Sequence, residues 1–149
     1  MATMLMLLPM LFGCTDKKPA YEKDVAAFSS LIERHFALIT IDMAVHEYRN
    51  ENGELAPKTK AVDDSLDIVY SHLATPPQEY EAAYPIIQRL YQGAKQHKEI
   101  AIEYALFGDD VIDEIRYARA DSAVKIMERK KADLIRLQSI VPKAFMSNG

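Results

Sequence analysis

The distribution of apolar residues along the chain predicts helices. From Tyr21 to Arg49, apolar residues recur three and four positions apart, the period of an amphipathic α-helix. Similar segments run from Lys60 to Ala74, from Thr75 to Gly108 and from Asp109 to Val141. No segment alternates apolar and polar residues as a half-buried strand would. The pattern therefore predicts an all-α fold with four helices.

Residues that favour helix ends support these boundaries. Gly53 can end the first helix, and Thr59 can be the N-cap of the second. Asp63 and Asp64 would then oppose the positive end of the dipole of the second helix. Pro76 suits the first position of the third helix, where Pro85 either introduces a kink or marks the true start. The connections are short, so neighbouring helices should be antiparallel. We therefore expect an antiparallel up-down four-helix bundle.

Composition narrows the possible functions. A chain of 149 residues fits one domain. Its net charge of −4 argues against a nucleic-acid partner, which would need a basic surface. The single cysteine, Cys14, excludes an intramolecular disulfide and any metal site with several cysteines. Gly-rich phosphate loops and nucleophile elbows are also absent, so we expect no cofactor and no enzymatic activity.

The first twenty residues have a distinctive order. An apolar run, Met4–Phe12, is too short to cross a bilayer. Gly13 and Cys14 follow it, and then the polar segment Thr15–Ala20. This order resembles the signal peptide and lipobox of bacterial lipoproteins. Phe12 is bulkier than is usual in that pattern, and no Lys or Arg precedes the run, so we expect a basic region upstream of Met1.

The resemblance implies a membrane anchor. Residues 1–13 would be removed, Cys14 would carry a diacylglycerol with acyl chains such as palmitate, and residues 14–20 would form a tether. Residues 21–145 would then be a helical domain in the cell envelope. With the lipidated Cys14 counted as position one, position two is Thr15 and not Asp. With Thr15 there, the family rule implies the outer membrane in a Gram-negative cell. In a Gram-positive cell the anchor implies the outer face of the plasma membrane.

Three polar residues fall on the apolar face of the predicted first helix. On a helical wheel this face centres between Phe28 and Ile39. His35, Asp42 and His46 lie on the same stripe, because they are spaced by seven and then four residues. Buried polar groups need partners, so these residues should meet polar side chains from other helices.

Candidate partners occur on the third and fourth helices. His97 lies at the edge of the core face of the predicted third helix. On the predicted fourth helix, Arg119 and Arg129 lie on the same line as Ile126. In a bundle with aligned ends, a rise of about 1.5 Å per residue brings Arg119 to the height of Asp42. We therefore predict an internal polar layer comprising Asp42, Arg119, His35, His46, His97 and Arg129.

This layer has three interpretations. The first is structural, with Asp42 paired to Arg119 and the histidines hydrogen-bonded around them. The second is a metal site formed by His46, His97 and Asp42. The third is a ligand-binding or catalytic pocket. The leading functional hypothesis is a membrane-anchored binding or structural module with an envelope protein partner. The alternative is a small-molecule or metal-binding bundle.

Two surface features also have alternative interpretations. Tyr80, Tyr84 and Tyr91 form a stripe on the third helix that either binds a partner or is covered by the second helix. Coverage is the favoured interpretation. The basic run from Arg129 to Lys131 is either a solvated helix end, which we favour, or a contact with anionic lipid.

Overall fold

A computed structural model describes residues 16–45, 57–107 and 113–146, without the side chains of residues 41–45, 104–107, 113, 115 and 116. These parts contain four α-helices: α1 (Lys18–Val45), α2 (Pro57–His72), α3 (Tyr84–Phe107) and α4 (Asp113–Ile140). Two short 3₁₀ helices, Gln78–Ala83 and Pro142–Phe145, precede α3 and follow α4. No strand occurs within the described ranges, so the predicted all-α class is confirmed.

Helix α1 begins three residues earlier than predicted. The backbone N–H of Lys18 donates to Oδ1 of Asp16 over 3.0 Å. This bond satisfies one of the N–H groups that a helix leaves unpaired at its start. Lys18 to Ala20, assigned above to the tether, are therefore helical.

Prolines determine where α2 and α3 begin. Helix α2 starts at Pro57, so the prediction that Thr59 caps it is wrong, and Thr59 is buried within the first turn. Proline suits this position because its missing N–H would be unpaired there anyway. Helix α3 starts at Tyr84 with Pro85 next, so Pro85 marks the true start and Pro76 lies outside the helix. The 3₁₀ helix occupies part of the segment predicted to be helix α3.

One main apolar core lies between the helices. Helix α1 packs against α2 and α3, and α3 packs against α4. The Arg89 guanidinium also joins α3 to α4 by donating two hydrogen bonds to the Asp133 carboxylate, over 2.9 and 3.1 Å. The fully buried apolar side chains include Val25, Phe28, Ile32, Leu66, Leu73, Ile87, Leu137 and Val141.

Candidate functional site

The most concentrated group of charged side chains lies where α1, α2 and α3 meet. Asp63 of α2 is only 6% exposed. Its Oδ1 atom lies 3.2 Å from Nε2 of His35 and 2.8 Å from Nζ of Lys95, and its Oδ2 atom accepts from Nζ of Lys98 over 2.8 Å. We refer to these four residues as the Asp63 cluster. A single carboxylate thus joins three helices.

Opposing effects determine the ionisation of Asp63. Burial by itself would raise the pKa of the carboxyl group, because it disfavours the charged form. Hydrogen bonds from His35, Lys95 and Lys98 favour the charged form and outweigh burial, so the pKa lies well below its ordinary value. Asp63 is therefore an anion at neutral pH.

The charges around this anion are balanced. Burial lowers the pKa of Lys95, but hydrogen bonds to Asp63 and Asp67 raise it above the ordinary value overall. Asp67 supplies a second carboxylate, which also accepts from the Tyr91 hydroxyl over 2.8 Å. The two ammonium groups of Lys95 and Lys98 thus face two carboxylates. Such an arrangement holds helices together and leaves little free charge for binding an ion.

His97 lies in a different environment from the Asp63 cluster. It is 3% exposed, and its ring centroid lies 4.7 Å from that of Phe36. Burial, with smaller effects of His35 and Lys130, lowers the pKa of His97 to about 4. The ring is therefore neutral at pH 7. Its Nδ1 atom is buried and has no hydrogen-bond partner among the described residues, and the same holds for Nδ1 of His35.

The predicted polar layer is only partly recovered. His35 and His97 are buried, as expected of members of an internal layer. Arg129, by contrast, is exposed, so its assignment to the layer is wrong. Arg119 pairs with Glu103 of α3 over 3.0 Å. His35 contacts Asp63 of α2, a residue that the predicted layer did not include.

Three other predicted residues lie outside the described side chains. Cys14 and His46 fall in ranges that the structure does not describe, and Asp42 lies in α1 without a described side chain. The predicted Asp42–Arg119 pair and the metal site built on His46 are therefore not tested. Among the described residues, no group of three or more His, Cys, Asp or Glu side chains is arranged to hold a metal ion.

Sequence analysis missed the central residue of the site. Asp63 was interpreted as an acidic residue near the positive end of the α2 dipole, together with Asp64. Asp64 is indeed exposed and pairs with Lys60 four positions earlier. Asp63, however, follows Val62 and lies three residues before Leu66 on the apolar stripe. A helical wheel of α2 contained this signal, because positions three apart lie only about 60° from one another. Asp63 and Leu66 are in fact both buried.

The tyrosine stripe is mostly covered, as favoured above. Tyr80 is 8% exposed, and the rings of Tyr91 and Tyr70 stack with their centroids 3.8 Å apart. Tyr70 belongs to α2, so this helix covers part of the stripe. Burial and the Asp67 carboxylate raise the pKa of the Tyr91 hydroxyl.

Two of the cavities formed by the described residues border α4. The larger, of about 900 Å³, is an open groove between α1 and α4. The smaller, of about 340 Å³, is bordered by Phe36, Arg89, Gly93 and Asp133 among others. His35, Asp63 and His97 line neither of them.

Comparisons with protein-family models, curated proteins and solved structures find no match to this chain. Within the described ranges, no helix has the length and apolar character needed to cross a membrane.

Proposed function

We propose that this protein is a membrane-anchored bacterial lipoprotein whose helical domain acts as a non-enzymatic binding or structural module in the cell envelope. The observation that carries the proposal is the order of apolar run, Gly13 and Cys14, followed closely by the start of α1 at Lys18. A lone cysteine at this place is what a lipid anchor requires. The resemblance to lipoproteins supplies the anchor, and the helical domain supplies the module.

We further propose that the domain is an antiparallel four-helix bundle. Contacts between neighbouring helices support this arrangement, because the residue numbers rise on one helix as they fall on the other. The contacts are His35 with Asp63 and Phe28 with Tyr70 for α1 and α2, and Arg89 with Asp133 and Glu103 with Arg119 for α3 and α4.

The short tether would hold this bundle near the membrane. Four residue steps separate Cys14 from Lys18, the first residue of α1. Fully extended, they span about 14 Å. The α1 start would therefore lie near the lipid head groups. In this position the module would bind partners that are themselves at the membrane surface.

The Asp63 cluster supports a structural role for the buried charges. Nζ of Lys95, Nζ of Lys98 and Nε2 of His35 all contact the carboxylate of Asp63. Buried charges with satisfied partners can specify which helices pack together and in which register. A rigid bundle of this kind suits a module that presents a surface.

One observation favours the alternative, a metal-binding or small-molecule-binding bundle. His97 is neutral, and its Nδ1 atom is buried without a described partner, so this nitrogen could act as a ligand. In that case added zinc or copper should raise the melting temperature, and His46→Ala or His97→Ala should abolish the rise. An unchanged melting temperature in the wild-type protein would contradict the alternative.

The anchor is tested by metabolic labelling with a fatty-acid probe. The full chain should label and fractionate with membranes, whereas Cys14→Ser should not label and should be released or mislocalised. A matched control carries Cys14→Ser together with Ala27→Cys, which moves the single thiol to an exposed position on α1. That control should also fail to label. Labelling and membrane retention of Cys14→Ser would contradict the proposal.

A further inference from the structure

Helix α4 carries apolar residues on two opposite faces. Its inner face buries Ile126 and Leu137, which are 8% and 0% exposed. On the outer side, Tyr117, Val124 and Ile135 are 74%, 53% and 61% exposed. At about 100° per residue, these three lie within about 20° of one line and roughly opposite the inner face. We call Tyr117, Val124 and Ile135 the outer stripe.

The outer stripe borders the larger groove. Val124 and Ile135 line its α4 wall together with Met127 and Leu134. The α1 wall includes small residues, such as Ala26 and Ser30. A groove with one small-residue wall and one apolar wall allows another helix to approach closely. Large apolar patches of this kind on a protein surface mark interaction sites.

Opposite charges flank the outer stripe of α4. Glu128 and Lys131 are both exposed. At about 100° per residue, they lie about 20° and 40° from Ile135, on either side of the stripe. In two antiparallel copies of α4, the glutamate of one copy can therefore face the lysine of the other. The helix dipoles also oppose one another in this arrangement.

We infer that the outer stripe and its groove form a docking site for a second copy of this chain, with the two α4 helices antiparallel about a two-fold axis. An axis between Arg129 and Lys130 places Glu128 opposite Lys131 of the second copy. The same axis places Val124 opposite Ile135 of the second copy. Each contact occurs twice, because a two-fold interface uses the same patch on both subunits.

The polar residues beside the stripe favour this occupant over a lipid surface. Glu128 and Lys131 both line the groove, and neither has an ion-pair partner among the described residues. An anionic membrane would be attracted by Lys131 but repelled by Glu128. A second copy satisfies both residues at once. The inference does not depend on lipidation of Cys14, since the surface belongs to the folded helices.

Charge reversal provides the test. The full chain would be purified in a mild detergent, and the mass of its protein component would be measured by light scattering during gel filtration over a range of concentrations. Wild-type protein should be dimeric. Glu128→Lys and Lys131→Glu should each raise the dissociation constant about tenfold or more, because like charges then face each other twice. The double variant Glu128→Lys/Lys131→Glu should restore the dimer.

Two controls accompany these variants. Glu81→Lys makes the same charge change at an exposed position in the first 3₁₀ helix, and it should leave the dimer unchanged. Helical circular dichroism equal to that of the wild type shows that each variant is folded. A monomeric wild-type protein would overturn the inference. So would a double variant that dissociates as readily as the single variants, since restoration requires these two residues to face each other across the interface.

Discussion

Nε2 of His35 on α1 lies 3.2 Å from Oδ1 of Asp63 on α2, within the protein core. The His35 side chain is fully buried, and that of Asp63 is 9% exposed. Lys95 and Lys98 of α3 approach the same carboxylate from the third helix. One carboxylate on α2 thus contacts side chains of both α1 and α3.

Removing the Asp63 charge should destabilise the fold strongly. Asp63→Asn keeps the shape of the side chain but leaves Lys95 and Lys98 without their shared anion. Breaking a buried ion pair in this way costs about 3–5 kcal/mol. The free energy of unfolding, measured by urea denaturation followed by circular dichroism, should fall by that order.

The neighbouring residue provides the control for this change. Asp64→Asn alters an exposed side chain that pairs with Lys60 four positions earlier. Exposed pairs of this kind contribute about 0.3–0.5 kcal/mol. Similar losses for Asp63→Asn and Asp64→Asn would show that the Asp63 cluster does not hold the helices together.

His97 should make stability depend on pH in a defined window. Its pKa falls from 6.5 to about 4 in the folded protein, so between these values the unfolded chain binds more protons. The stabilising effect of the neutral ring is therefore complete above pH 6.5 and is lost as the pH falls toward 4.

The measurement is the free energy of unfolding as a function of pH. His97→Leu keeps an apolar side chain beside Phe36 but removes the titrating group. The variant should lose the part of the slope between pH 6.5 and 4 that belongs to His97. The slope at lower pH, where Asp63 is protonated in the unfolded chain but still ionised in the folded protein, should remain. Parallel curves for the wild type and the variant would show that His97 does not titrate in this way.

The two apolar faces of α4 should respond differently to truncation. Leu137 is fully buried, so Leu137→Ala should cost about 2–5 kcal/mol through lost contacts and a cavity. Ile135 is 61% exposed, so Ile135→Ala should change the stability of the monomer by about 0.5 kcal/mol or less. Chemical denaturation at low protein concentration measures both.

The same pair of variants separates folding from association. If α4 docks on a second copy, Ile135→Ala should weaken the dimer although it leaves the fold intact. A large loss of monomer stability in Ile135→Ala would mean that the outer stripe is part of the core.

Gly93 offers a stabilising substitution. It lies inside α3, where glycine costs about 1 kcal/mol relative to alanine. A Cβ atom added there would lie 3.7 Å from Cγ2 of Ile126, an ordinary van der Waals contact. Gly93→Ala should therefore stabilise the protein by about 0.5–1 kcal/mol, measured as a rise in the denaturation midpoint.

A neighbouring change controls for effects on the α3 surface. Gln92→Ala alters an exposed residue of similar helix propensity and should leave the midpoint nearly unchanged. A lower midpoint for Gly93→Ala would mean that α3 and α4 approach too closely to accept a methyl group.

The sequence by itself determined the helical class and the approximate extent of the helices. Apolar residues at three- and four-residue spacing can bury one face only as a helix, and this constraint is local. The burial of His35 and His97 also followed from their positions on apolar stripes. Pro85 left two alternatives, because its missing N–H is compatible with either a kink or a helix start.

Only the tertiary structure decided which polar residues meet. Helical periodicity places a residue on a face, but it does not give the rotation or height of one helix relative to another. An error of one residue position turns a side chain by about 100°. Arg129 was expected inside the bundle but is exposed. Asp63 was expected at a helix end, but it is buried and contacts His35 and two lysines. Its partners come from two other helices, α1 and α3, and their convergence depends on packing that the linear pattern does not contain.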